Sequence, residues 1–158
     1  MRSFKSVGVT QLELTSTAIA IATTPIPIGI ITPLRQGSGD EGLLALSYDV
    51  GTQMKNNLRD LIMTDWGERL ALYDYGGNLT SLCTEYERFG KEEFDSIAMG
   101  RISTAVAKFM PYVELGGFES QQTYATEVGL GKVIIIIEYS IPKAKVPNTR
   151  LQIVFKVI

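Results

Sequence analysis

The sequence predicts an α+β fold: two amphipathic helices packed on a small, mainly antiparallel sheet, with an extended N-terminal arm. Three observations carry that expectation. Helical patterning is confined to two stretches that end near Met110, and strand patterning fills the chain after it; such segregation favours an antiparallel sheet over alternating βαβ units. Lys132 to Ile141 reads Lys-Val-Ile-Ile-Ile-Ile-Glu-Tyr-Ser-Ile, a β-branched run far short of the roughly 20 apolar residues a membrane helix needs. Arg150 to Ile158 alternates Leu151, Ile153, Phe155 and Val157 with Gln152, Val154 and Lys156, the pattern of a strand with one face buried.

The 158 residues suffice for a domain with a real core, and 45% apolar against 20% charged residues is ordinary globular composition. A net charge of −2 gives no basic field, so nucleic acid is not the expected partner. Histidine is absent, which removes the commonest general base and the commonest metal ligand. Cys83 is the single cysteine. It has no partner for an intrachain disulfide, no second thiolate for zinc and no histidine to activate it, so it reads as a small buried hydrophobe. No cofactor, metal or catalytic residue is expected. Arg2 and Lys5 could open a secretion signal, but Glu13 and the threonines interrupt the apolar run, and no stretch resembles a membrane span.

Residues 1–28 read as an extended arm and 29–158 as one α+β domain. Ser16 to Thr24 alternates small and β-branched residues and suits a strand; Pro25 and Pro27 keep the adjoining backbone extended. Ile28 to Leu34 is a second extended stretch, and Gln36 to Gly42 is a loop. The first helix is expected from Ser47 as N-cap, with Asp49 in its first turn. Its stripe is Leu46, Val50, Met54, Leu58, Leu61 and Ile62. Thr64 to Asn78 is a loop in which Gly67, Gly76 and Gly77 are conformational. The second helix runs from about Lys91 to Met110 on Phe94, Ile97, Ala98, Ile102, Ala105, Val106 and Phe109, and Pro111 ends it. Gly100, inside that helix, suggests a close helix contact. Tyr112 to Phe118 is expected as a strand and Gln121 to Gly131 as a loop or widened hairpin. In Lys132 to Ile141 the alternation puts Val133, Ile135, Ile137, Tyr139 and Ile141 on one face. Ile134 and Ile136 lie on the other, so the strand should begin buried on both sides. Pro142 to Pro147 breaks the ladder, and the closing strand lies at a sheet edge.

Two places are more specific than patterning. One is Thr64-Asp65-Trp66-Gly67-Glu68-Arg69, followed by Asp74-Tyr75-Gly76 and Leu79. The other is Phe109-Met110-Pro111-Tyr112-Val113-Glu114-Leu115. With Pro33-Leu34-Arg35 they resemble the baseplate wedge proteins of contractile phage tails. That family includes the sheath initiator of myophages and a type VI secretion counterpart, and is often labelled "lysozyme-like". The resemblance spans roughly Gly29 to Ile158. It departs from the family at the end of the second helix, where a Glu-Pro-Arg triplet tied to wedge docking is replaced by Met110-Pro111-Tyr112.

The resemblance implies a structural protein of the tail baseplate in the virion, assembled in the host cytoplasm. It implies as partners other wedge proteins, the tail sheath protein and possible tube or hub proteins, with no membrane and no nucleic acid. Carried onto this chain, the wedge side would use Arg69, Asp74, Tyr75, Met110, Pro111 and Tyr112. The sheath side would use the closing strand edge: Leu151, Gln152, Val154, Lys156 and Ile158. From the residues alone, Arg69 pins its own loop, on Asp74 or a helix end, or meets a partner; Trp66 and Tyr75 are lids on the core or interface anchors. Two other functions stand beside this one. A glycosidase would need two facing carboxyls, for which Glu68 and Asp74 are the candidates. An unrelated α+β binding module would need neither.

Overall fold

The computed structural model describes residues 25–38, 42–86, 90–125 and 130–157. Two compact units result, Met1–Tyr48 and Asp49–Ile158. In the first, β1 (Gly29–Ile30) pairs antiparallel with β2 (Leu46–Ser47), and an isolated bridge joins Gln36 to Leu44. β1 falls inside the stretch expected to be extended. Leu46, expected on a helix stripe, is instead in a strand. The strand expected at Ser16 to Thr24 lies outside the described residues.

The second unit begins with α1 (Val50–Met63). Its cap is Asp49, not Ser47: Asp49 has an extended backbone, and its carboxylate accepts the Thr52 N–H at 2.7 Å. Ser47 is committed to pairing with Gly29, and an ionised carboxylate gains more than a hydroxyl at the positive end of a helix. That hydrogen bonding holds the Asp49 carboxyl below its usual range. α1 buries Leu58, Leu61 and Ile62, whereas Val50 stays exposed. Thr64 ends it, donating from both its hydroxyl and its N–H to the Asp60 carbonyl.

A short helix, α2 (Thr80–Thr84), buries Leu82 and Cys83. α3 (Lys91–Phe109) buries Phe94, Ala98, Ile102, Ala105 and Val106, the stripe its spacing predicts. No atom lies within 4 Å of where a Gly100 Cβ would sit, so the helix contact expected there is not made.

The sheet is a three-stranded antiparallel meander in the order β3 (Glu114–Ala125), β4 (Leu130–Ile141), β5 (Val146–Val157). The region expected as a loop from Gln121 is ladder: Gln121 faces Ile134 and Ala125 faces Leu130. The polar Gln-Gln-Thr run hides the strand because it borders a hydrophobic central strand rather than alternating itself. Pro142 opens a 3-10 turn through Ala144, Lys145 takes a left-handed φ of 55°, and the chain re-enters the sheet at Val146. Pro147 therefore lies within β5, which tolerates it as the edge strand among the described residues, where one side of its ladder has no neighbour.

The core joins the inward face of the sheet to the three helices. Val133, Ile135, Ile137, Tyr139 and Ile141 of β4 and Leu151, Ile153 and Phe155 of β5 are buried against Leu58, Leu61, Phe94 and Ile102. Each fully buried aliphatic group contributes about 1.5–3 kcal/mol before entropy. One polar cluster sits among them: the buried Ser120 hydroxyl donates to Asp95, and the Tyr86 hydroxyl lies 3.3 Å from it. Ile134 and Ile136, expected to be buried, are only half-buried, because the described helices all pack on the other face.

Candidate docking site

The loop from Asp65 to Asn78 is held from both ends. Gly77 N–H donates to the Leu61 carbonyl at 3.0 Å and Asn78 N–H to the Thr64 carbonyl at 3.3 Å, so the loop returns alongside the end of α1. That approach needs glycine. Gly76 has φ 119°, and a Cβ there would run into the Thr64 carbonyl oxygen; a Cβ on Gly77 would lie 3.0 Å from the Ile62 carbonyl. Within the loop, Gly67 N–H donates to the Tyr73 carbonyl at 2.8 Å, and Gly67 (φ 86°) and Ala71 (φ 65°) turn the chain. The Trp66 indole donates to the Gly76 carbonyl at 3.2 Å, and Arg101 of α3 donates to the Asn78 carbonyl at 2.6 Å.

What this frame displays is apolar. Leu70 is 92% exposed, Tyr73 71%, Trp66 54% and Leu72 45%. Large apolar side chains on an ordered loop resemble the anchors that dominate protein interfaces more than they resemble a fraying loop. None of Leu70, Leu72 and Tyr73 was identified from the sequence. The signal was there in the run Leu70-Ala71-Leu72-Tyr73, which is hydrophobic without belonging to either helix or any strand.

Beside the loop are two hollows. One, of about 290 Å³, is lined by Asn57, Asp60, Arg69, Tyr75, Met110 and Tyr112. The other, of about 400 Å³, is lined by Trp66, Asp74, Ile97, Gly100, Arg101 and Lys108. Phe109 borders both, its ring packed at 4.8 Å and 58° on Tyr75. Of the residues expected on a wedge side, Arg69, Tyr75, Met110 and Tyr112 thus meet around one hollow. Asp74 falls in the other, and Pro111 lines neither, sitting exposed on the turn after α3.

Arg69 does not pin its loop through Asp74. Its guanidinium stacks 3.9 Å from the centroid of the Tyr75 ring. Asp74 is taken by Lys108, whose hydrogen bond holds the Asp74 carboxyl below its usual range. Tyr75 is half-buried, and burial raises its hydroxyl pKa. Glu68 accepts the Asp65 N–H at 2.9 Å and so closes its own turn. The two carboxylates that a glycosidase would need are each engaged elsewhere, Glu68 by the Asp65 N–H and Asp74 by Lys108. Burial pushes the Cys83 thiol up to about 12, which leaves it protonated and inert. Among the described residues, no group of three or more His, Cys, Asp or Glu could hold a metal ion, and no helix is long and apolar enough to cross a membrane.

The residues expected on a sheath side are divided between the two faces of β5. Leu151 is buried in the core and offers only its backbone, whereas Gln152, Val154 and Lys156 point outward. Ile158 lies outside the described residues.

No family model and no curated protein matches the chain. The solved structures it is similar to include the following two. One is a chain of the baseplate of the anti-feeding prophage, at 17% identity over 80% of this chain and 82% of that one, with a TM-score of 0.48. The second is a protein described as a tail lysozyme from Geobacter sulfurreducens, at 22% identity over 66% of this chain and 86% of that one, with a TM-score of 0.44. At these scores neither likeness transfers a residue role or an activity to this chain.

Proposed function

We propose that the chain is a structural baseplate component of a contractile tail or a related injection particle. It docks on neighbouring wedge proteins through the Asp65–Asn78 loop and the end of α3. The observation that supports this reading is the loop itself: Trp66, Leu70, Leu72 and Tyr73 stand exposed on a hydrogen-bonded frame, beside a hollow lined by Arg69, Tyr75, Met110 and Tyr112. Preorganised apolar anchors beside an arginine suit a protein partner, because little entropy remains to be lost on binding.

The finer part of the proposal concerns the sheath. Among the described residues β5 pairs with β4 along one side only, so its other edge can accept a strand from a sheath subunit. Each added ladder bond nets about 0.5–1.5 kcal/mol, so four to six of them could hold a first ring.

The deciding experiment places the chain in purified particles by mass spectrometry and cryo-EM. Arg69→Ala should leave Tm within a few degrees yet abolish incorporation into the baseplate. Val154→Pro, if its N–H points to the open edge, should leave the monomer folded and give baseplates without ordered sheath. Full-length sheaths on such particles would end the templating part. Cleavage of cell walls anywhere from about pH 4 to about pH 8, lost in Glu68→Gln, would end the structural reading as a whole.

A further inference from the structure

The outer face of the β3–β4–β5 sheet carries a second pattern, separate from the loop. The outward side chains of β4 are Lys132, Ile134, Ile136 and Glu138, and opposite them on β5, in the same order, stand Lys156, Val154, Gln152 and Arg150. Lys132 and Lys156 are directly opposed and both exposed. Like charges in that arrangement destabilise a sheet. The described ion pairs are Lys108–Asp74 and Arg150–Glu138, and neither lysine of the opposed pair takes part in them.

One step further along the strands the face turns apolar. Ile134 lies opposite Val154, which is 45% exposed, and Ile136 comes next. An antiparallel sheet with one wet face normally carries polar residues there, whereas a run such as Val133 to Ile137 belongs to a strand covered on both sides. Past Ile136 the face dips into a hollow of about 460 Å³ beside the Gly116–Gly117 bulge, with Glu119, Glu138, Arg150 and Gln152 on its walls, so the carboxylates of the face gather at this end, away from Lys132 and Lys156.

The geometry points to this face as the docking surface for an acidic amphipathic segment of a partner protein. Its carboxylates would lie over Lys132 and Lys156, and its apolar side chains over Ile134, Val154 and Ile136. The step from charge to hydrophobe is two strand residues, about 6.8 Å, close to the rise of one helical turn of about 5.4 Å. Charge selects the occupant. The chain's own residues 1–24 carry Arg2 and Lys5 against the single Glu13, and a second copy brings the same two lysines. This inference depends on neither the loop nor the open edge of β5, since a face is covered by side chains without ladder bonds.

The test uses the full chain and three synthetic amphipathic peptides: one with a glutamate pair beside a leucine stripe, one with lysines in place of the glutamates, and one with the glutamates but no leucines. Binding is read by fluorescence anisotropy, with carbodiimide coupling to locate the contact. The glutamate–leucine peptide should bind and couple to Lys132 and Lys156. It should weaken at least about tenfold in the K132E/K156E double variant, which should in turn take up the lysine peptide. Lys132→Glu alone should raise Tm by about 1–3 °C, because it replaces repulsion with an ion pair. Peptide binding that ignores both the charge reversal and the leucines would overturn the proposal. So would coupling of the lysines to residues 1–24, self-association of the chain that the double variant abolishes, or an unmoved Tm.

Discussion

The Asp65–Asn78 loop and the three-stranded sheet are ordered by different means. In the sheet, side chains decide: every second residue of β4 is buried, and a slip of one register would turn Val133, Ile135 and Ile137 out to water. In the loop, the backbone decides. Leu70, Leu72 and Tyr73 point into solvent and contribute little to its shape, which rests on carbonyl contacts that only Gly76 and Gly77 permit, with the Trp66 indole and the Glu68 carboxylate closing turns of the backbone. The sheet can therefore lose hydrogen bonds at an edge and keep its form, while the loop can lose Leu70, Leu72 and Tyr73 and keep its own.

Gly76→Val should be the harshest change, at about 3 kcal/mol or more, since it combines a forbidden φ with a collision against the Thr64 carbonyl. An unchanged urea midpoint would dissolve the contrast. Ile135→Ala should cost about 2–5 kcal/mol and Ile134→Ala less than half as much, because only Ile135 is fully buried. Equal losses would mean that the second face is covered after all. Leu70→Ala should shift stability by at most about 0.5 kcal/mol, as befits a side chain 92% exposed. A large drop would show that the loop is held by its side chains.

The smallest effect is expected with acid. The Glu138 carboxyl is held below 4.5 by its hydrogen bond to Arg150, and that of Asp74 below 3.8 by Lys108. A depressed carboxylate contributes stability that is fully present above its ordinary pKa and is lost as the pH falls through the depressed value. Stability should therefore decline only below about pH 4.5, and Glu138→Gln should flatten part of that decline; a loss beginning near pH 6 would implicate other groups. Cys83, with its thiol near 12, should resist iodoacetamide at pH 8 until the fold opens.

The same contrast explains what could be read in advance. The inward faces of α3, β4 and β5 were legible because burial writes a period into the sequence. The loop's limits were legible from its glycines, but its content was not. Ala71 and Asn78 adopt left-handed φ values of 65° and 47° with no glycine to announce them. The sequence offers Arg69 only Asp74, a helix end or a partner, and the fold alone decides that the neighbouring Tyr75 ring receives it while Lys108 takes the carboxylate. Ser47 and Asp49 are both good caps two residues apart, and pairing to Gly29 decides between them. Polar Gln121 to Thr123 concealed the end of β3, whose order comes from its neighbour rather than from its own pattern.

The order of these elements along the chain also sets a sequence in time. α1, the loop and α3 leave the ribosome before β4 and β5, yet their buried stripes close on those strands. A nascent chain that has already exposed Leu70 and Tyr73 still lacks the sheet that fixes α1 against α3, so its loop has no settled frame to present. The loop therefore reaches its settled frame only once the later strands have been made and the stripes of α1 and α3 have closed on them.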